Sequence, residues 1–154
     1  MYTGRRAVKS SEEKHQMDYT HSEGPWVETA VKLVVRKADL DADFVSRTVS
    51  LPPTTVQHPG SDQQDQASPD GGLWILQVHE RLPGGVDAQL RVLLDMLEPR
   101  SSSLTELTAQ GYDIHLDLFG FVGRGATLVL SPGVVQKVAA LHVPVTVTTS
   151  VSDR

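Results

Sequence analysis

The segment Tyr112-Asp-Ile-His-Leu-Asp-Leu-Phe-Gly-Phe121 indicates which kind of sheet the chain builds. Apolar and polar residues alternate along it with a period of two, which is typical of a β-strand that buries one face. The apolar positions are Tyr112, Ile114, Leu116 and Leu118, and the polar positions are Asp113, His115 and Asp117. A strand covered on both faces would be apolar throughout, so this alternation predicts a sheet whose second face is open to water or to a partner.

Four other segments predict strands. The stretch from Trp26 to Arg36 alternates in the same way, with Val27, Thr29, Val31, Leu33 and Val35 at the buried positions and Glu28, Lys32 and Arg36 between them. The further candidates are Leu73 to Glu80, Ala126 to Leu130, and Val143 to Thr149. β-branched residues, which suit a pleated surface, favour the last of these as a strand.

Helical signals separate these strands. Asp39 or Asp41 can cap a helix that runs to about Val49, and Leu90, Leu93, Leu94 and Leu97 form one apolar stripe on a second helix. A capping box from Ser103 to Glu106 predicts the start of a third helix, which Gly111 ends. Ser131-Pro132 opens a fourth, to about His142.

The order of these elements predicts an α+β fold. We expect a single mixed, largely antiparallel sheet of about five strands, with the helices packed on one face as a two-layer sandwich. The predicted domain covers residues 26–151 and is preceded by a disordered, mixed-charge tail over residues 1–25. Residues 52–72 hold one large aliphatic side chain, Val56, and predict a long flexible loop.

Composition excludes several classes of function. A length of 154 residues favours one domain, and a chain without cysteine has no disulfide, zinc-thiolate site or thiol nucleophile. The formal charge of -5, with Arg5-Arg6 as the longest basic run, argues against nucleic acid as a partner. No apolar run approaches the ~20 residues that span a bilayer, so we expect no membrane partner and a cytoplasmic protein.

Several stretches together resemble a known family. These are Leu97-Glu-Pro-Arg100, Leu104-Thr-Glu-Leu107, Gly111-Tyr-Asp-Ile-His-Leu-Asp-Leu118, Leu128-Val-Leu-Ser-Pro132, Leu51-Pro-Pro-Thr54, the Gly60 region and Gly72-Leu-Trp74. In their order along the chain they resemble the bacterial family called domain of unknown function 4279, from about residue 27 to residue 151. The resemblance implies a bacterial α+β domain and brings no activity, catalytic residue or cofactor with it.

The candidate site lies on the open face of the predicted sheet. Glu28, Lys32, Arg36, Asp113, His115 and Asp117 belong to it, and His79 joins them if the strand from Leu73 pairs with the strand from Tyr112. Such a set suggests either a metal or acid-base cluster or a solvated polar surface. Residues two apart on a strand are separated by roughly 6.5 Å, so three in a row rarely converge on one ion. The sequence therefore favours the solvated surface, with no catalytic residue, metal site or cofactor.

Two functions remain open. The first is a non-enzymatic module that binds another protein through the open face, for example an immunity-type protein that masks a basic toxin. The alternative is a small-ligand protein or enzyme with a pocket between Trp74 and the 52–72 loop, where His79 or His115 serves as an acid-base residue. Trp74 also fits a position in the core. The sequence leaves the oligomeric state open.

Overall fold

A computed structural model describes residues 26–60, 71–123 and 126–151. The predicted tail over residues 1–25 and the middle of the predicted 52–72 loop lie outside the described residues. Within the described ranges, no helix has both the length and the apolar character needed to cross a membrane.

Five strands and four α-helices make up the described chain, and their bounds are as follows. The strands are β1 (Val27–Lys37), β2 (Thr55–Gln57), β3 (Gly72–Val78), β4 (Asp113–Val122) and β5 (Val145–Val151). The helices are α1 (Ala42–Val49), α2 (Gly85–Leu97), α3 (Ser101–Ala109) and α4 (Pro132–Leu141), with a 3-10 turn at Glu98–Arg100 between α2 and α3.

The strands form one mixed sheet in the order β2-β3-β1-β4-β5. β1, the first and longest strand, occupies the centre and pairs antiparallel with both β3 and β4. β2 adds antiparallel to β3, whereas β5 adds parallel to β4. The predicted fold class, a mixed and largely antiparallel sheet with helices on one face, is thereby confirmed.

The core lies between the sheet and the helices. Val31, Leu33 and Val35 of β1 are fully buried and stand in register with core residues of β3 and β4. The predicted leucine stripe of α2 is also buried, at 1% exposure or less. Burial of a large aliphatic side chain contributes about 1.5 to 3 kcal/mol, so this layer provides most of the stabilisation.

The helix ends follow local chemistry. The side chain of Asp41 accepts a hydrogen bond from the Phe44 amide at 3.1 Å and caps α1, as predicted. Gly111 adopts a φ of 96°, and the amides after α3 return to Thr108 and Leu107, which is the left-handed ending predicted there. Ser131 precedes α4 as predicted, but its amide and hydroxyl donate to Asp87 of α2, which fixes α4 to α2.

Three predicted elements were wrong. Ala126 to Leu130 is not a strand, because β1 and β5 already occupy both edges of β4. The 52–72 segment contains a short strand, β2. Its three residues pair with the edge of β3, and they show no alternation in the sequence that would predict a strand. Finally, α3 begins at Ser101 and not at the Ser103 box, because the chain continues into α3 directly from the 3-10 turn.

Candidate functional site

The side of the sheet away from the helices is the candidate site, and we call it the open face. No helix in the described ranges lies on it. Its side chains are Lys32, Val34 and Arg36 of β1, Leu73, Ile75 and Gln77 of β3, Asp113, His115, Asp117 and Phe119 of β4, and Thr146 and Thr148 of β5.

The open face is uncovered, but it is not uniformly polar. Val34 of the central strand is 8% exposed, and Leu73 and Ile75 beside it on β3 are half-buried. Phe119 is also half-buried, but it lies four residues along β4 from His115, the residue that pairs with Val34. Charged and amide side chains surround these apolar residues. The face thus has one apolar cluster, formed by Val34, Leu73 and Ile75, which the polar row of Gln77, Lys32 and Asp117 separates from Phe119. The alternation of β4 alone did not show this.

Arg36 and Asp113 lie opposite each other at one end of the open face. Their side chains form an ion pair at 3.4 Å, with 40% and 69% of the two side chains exposed. An exposed pair of this kind contributes about 0 to 1 kcal/mol to stability. Both residues remain accessible to a partner.

Asp117 has a different role from its neighbours on the strand. It is only 9% exposed, and its Oδ1 accepts hydrogen bonds from the hydroxyls of Thr146 at 2.6 Å and Thr148 at 2.8 Å. Both threonines belong to β5, so a single carboxylate ties the last strand to β4. Hydrogen bonds to an ionised acceptor are worth roughly 1.5 to 3 kcal/mol, which makes Asp117 a structural residue of the open face.

Replacing Asp117 with alanine should lower the free energy of unfolding by about 2 to 3 kcal/mol, since both threonine hydroxyls lose a charged acceptor. Asp113→Ala on the same strand and face is the matched control and should cost less than about 0.5 kcal/mol, because it removes only an exposed ion pair. Urea denaturation followed by circular dichroism measures both. Equal losses in the two variants would contradict the structural role of Asp117.

The two histidines of the candidate set do not meet. His115 of β4 is half-buried opposite Val34, whereas His79 follows the end of β3 and is exposed. β3 and β4 do not pair, because β1 lies between them. His79 was expected to join Asp113, His115 and Asp117 only if these two strands pair, so the structure does not bring it into that group. Within the described ranges, no three histidine or acidic side chains are grouped so that they could share a metal ion.

Trp74 lies in the core. Its side chain is fully buried on the helix side of the sheet, and its indole Nε1 donates to the Ser46 hydroxyl of α1 at 3.0 Å. A ring without accessible surface does not line a pocket, so the structure does not place Trp74 in the wall expected beneath the 52–72 loop.

A β-bulge near the start of β1 shapes a cleft that sequence reasoning missed. The register with β4 shifts between Val27 and Ala30, and Glu28 adopts a φ of 49°. Because the bulge adds one residue to β1, Val27 is 54% exposed, contrary to its predicted buried position. Glu28, a non-glycine residue in the left-handed region, belongs to a class of outlier that clusters at functional sites.

The cleft beside this bulge has a volume of about 410 Å³ and opens on the open face. Lys32, His79 and Arg81 line it, together with one carboxylate, that of Glu28, and with Phe119. Among the described residues none of these three basic side chains forms an ion pair. A second groove of about 500 Å³ continues past Glu28, Thr29 and Arg81 towards Trp26. The only sequence signal for this site was a basic residue, Arg81, directly after a predicted strand.

At the other end of β1, a turn contains two groups of the described chain whose pKa values are displaced. Lys37 Nζ lies 2.6 Å from Asp39 Oδ1. This hydrogen bond raises the pKa of the lysine and lowers the pKa of the aspartate. Lys37 also lies over the Tyr112 ring, 5.5 Å from its centre. The displaced pKa values follow from an exposed ion pair and do not indicate acid-base chemistry.

These features define a two-layer α+β protein with an uncovered sheet face and a basic cleft at one end of it. The family comparison agrees with the motif order noted above: a family model described as "Domain of unknown function (DUF4279)" matches residues 27–152. The chain belongs to this family. No curated protein and no solved structure matches the chain.

Proposed function

We propose that this chain is a non-enzymatic protein-binding module and that the open face is its contact surface. The observation that carries the proposal is an apolar cluster on a sheet face that no described helix covers. Val34, Leu73 and Ile75 form this cluster, and Phe119 adds a second apolar side chain further along the same face. In a sheet that met only water, these positions would be polar.

The composition of the open face supports the same function. Protein interfaces combine an apolar, aromatic centre with a polar and charged border. Here Val34 and Ile75 provide the apolar part, while the accessible ion pair of Arg36 and Asp113 lies at the border.

The charges of the open face restrict the partner. Although the whole chain has a formal charge of -5, Lys32, His79 and Arg81 line the cleft against a single carboxylate, that of Glu28. A partner that places carboxylates there would gain charge-assisted hydrogen bonds. We therefore propose a protein partner with an apolar contact area bordered by acidic side chains. In an immunity-type role, the masked toxin would have to present an apolar contact area bordered by acidic side chains. The net charge of -5 alone would instead favour a toxin with a uniformly basic surface.

Affinity capture with the full chain as bait tests the proposal. The Ile75→Lys variant places a charge in the apolar cluster of the open face and should weaken capture of a stoichiometric partner at least about tenfold, which corresponds to 1.4 kcal/mol. Val92→Lys is the matched control, because Val92 is an exposed valine of α2 on the helix side, at 41% exposure.

The charge preference is tested with Lys32→Glu, which should also weaken capture by placing a carboxylate against the partner's acidic residues. Circular dichroism confirms that each bait is folded. A partner captured equally by the wild-type chain and by Ile75→Lys would contradict the assignment to the open face. Loss of capture with Ile75→Lys but not with Lys32→Glu would retain the face and reject the acidic partner.

A further inference from the structure

We propose that β5 is a dimerisation strand, which pairs antiparallel with β5 of a second copy of this chain across a two-fold axis at Thr148. The two five-stranded sheets would then form one continuous sheet of about ten strands. This inference does not depend on the proposed function, because it concerns the edge of the sheet and not its open face.

Among the strands of the described residues, β5 forms an edge of the sheet and lacks the usual protection. Native sheets protect their edges with charged residues, prolines, bulges or very short strands. β5 has the sequence Val-Thr-Val-Thr-Thr-Ser-Val over seven residues, without a charge or proline, and pairs with β4 without a register shift. The opposite edge of the sheet, β2, has only three residues.

The valines of β5 are uncovered as well. Val145, Val147 and Val151 are 39%, 56% and 71% exposed. They stand on the same side as Leu116 and Leu118 of β4, which are fully buried or nearly so. The helix layer therefore covers β4 but not β5, and leaves a row of valines beside the free edge.

The backbone of β5 has the geometry that a two-fold pair requires. The Leu116 amide donates to the Pro144 carbonyl at 2.9 Å, so in the parallel ladder the even-numbered residues of β5 direct their backbone groups towards β4. The odd-numbered residues, Val145, Val147, Thr149 and Val151, direct theirs outwards. An antiparallel pair centred on Thr148 matches Val145 with Val151 and Val147 with Thr149, which closes about eight hydrogen bonds and leaves none of these residues unpaired.

The side chains match in the same register. On the helix side, valines of one copy lie opposite Val or Thr of the other. On the open face, Thr146 lies opposite Ser150, and the two copies of Thr148 lie opposite each other. Cross-strand pairs of β-branched residues and of hydroxyl residues stabilise sheets. A strand without charges also avoids repulsion between two acidic chains, so a second copy is the occupant that this edge fits.

The contact area sets the expected affinity. Seven residues span about 24 Å, and a sheet edge is about 10 Å thick, so the two edges together contribute roughly 500 Å². Stable interfaces bury about 1,200 Å² or more. We therefore expect a reversible dimer that forms as the protein concentration rises, and not a permanent one.

Sedimentation equilibrium of the full chain tests the dimer. The mass should rise from one chain towards two between low micromolar and several hundred micromolar protein. Val147→Lys places a charge on the pairing edge, and Thr149→Pro removes an outward amide without touching the β4 ladder. Both should remain monomeric, whereas Val92→Lys should dimerise as the wild-type chain does. A wild-type chain that stays monomeric throughout, or a dimer that both edge variants retain, would overturn the proposal.

A crosslinking experiment tests the register itself, since the chain has no cysteine. Across the axis the two Thr148 Cα atoms would lie about 4.5 Å apart, within the range of ~4.4 to 6.8 Å seen in disulfides. Thr148→Cys should therefore form a covalent dimer on oxidation. Thr146→Cys is the matched control: it also loses one hydroxyl to Asp117, but its two copies would lie about 14 Å apart. Equal crosslinking of the two variants, or none with Thr148→Cys, would overturn the register.

Discussion

Trp74→Ala is expected to lower the free energy of unfolding by about 3 to 5 kcal/mol, a large part of the stability of a domain of this size. The side chain is fully buried between β3 and the helices, and its removal leaves a cavity that the surrounding aliphatic residues cannot fill. The indole hydrogen bond to Ser46 is lost as well. Urea denaturation monitored by circular dichroism measures the loss.

Two further variants separate packing from hydrogen bonding at this position. Trp74→Phe keeps most of the ring volume and should cost about 1 to 2 kcal/mol, while Ser46→Ala leaves the indole amine without its acceptor at a similar cost. If the 3.0 Å hydrogen bond accounts for this cost, the double variant Trp74→Phe/Ser46→Ala should lose less stability than the sum of the losses in the two single variants. A Trp74→Ala loss below 1 kcal/mol would contradict the core position.

Gln89→Glu is the second change with a large expected effect. Gln89 is 1% exposed; its amide nitrogen donates to the carbonyls of Thr29 at 3.0 Å and Glu80 at 2.8 Å, and its amide oxygen accepts from the Thr29 hydroxyl. This one side chain thus joins α2 to β1 and to the end of β3. A glutamate has the same shape, but its carboxylate has no N–H group to donate to the two carbonyl oxygens. We expect the free energy of unfolding to fall by about 3 kcal/mol or more at neutral pH.

The loss should depend on pH with a definite sign. Burial against carbonyl oxygens disfavours the charged carboxylate, so the pKa of the introduced glutamate should be higher in the folded state than in the unfolded state. The folded variant then binds the proton more tightly, and its stability rises as the pH falls. Gln89→Leu, which does not titrate, is the control and should show no such recovery. A Glu variant whose deficit is the same at pH 4 and pH 7 would contradict this environment.

The sequence predicted those parts of the fold that depend on neighbours in the chain. The leucine stripe of α2, the cap at Asp41 and the left-handed ending at Gly111 are local patterns, and each was found at its predicted place. The order of strands depends on contacts between distant residues. β1 therefore separates His79 from His115, although their sequence patterns are compatible with one cluster.

The candidate site was predicted only in outline for the same reason. Alternation showed that a sheet face is open, but the role of Asp117 depends on Thr146 and Thr148, which reach it only through the parallel pairing of β4 with β5. The cleft at Arg81 depends on the bulge at Glu28, which shifts the register by one residue and has no sequence signature of its own. Period-two patterns assume a regular strand, so they assigned Val27 to the wrong side.

The central position of β1 also has a consequence for biosynthesis. β1 leaves the ribosome before the other described strands, yet its second neighbour, β4, ends at Val122. At about 5 to 20 residues per second, the nascent β1 waits several seconds for that partner. During this interval, one edge of β1 is unpaired, although its Val31, Leu33 and Val35 are fully buried in the finished domain. We expect cellular yield to depend on chaperones that bind short apolar segments, even though the finished domain is small.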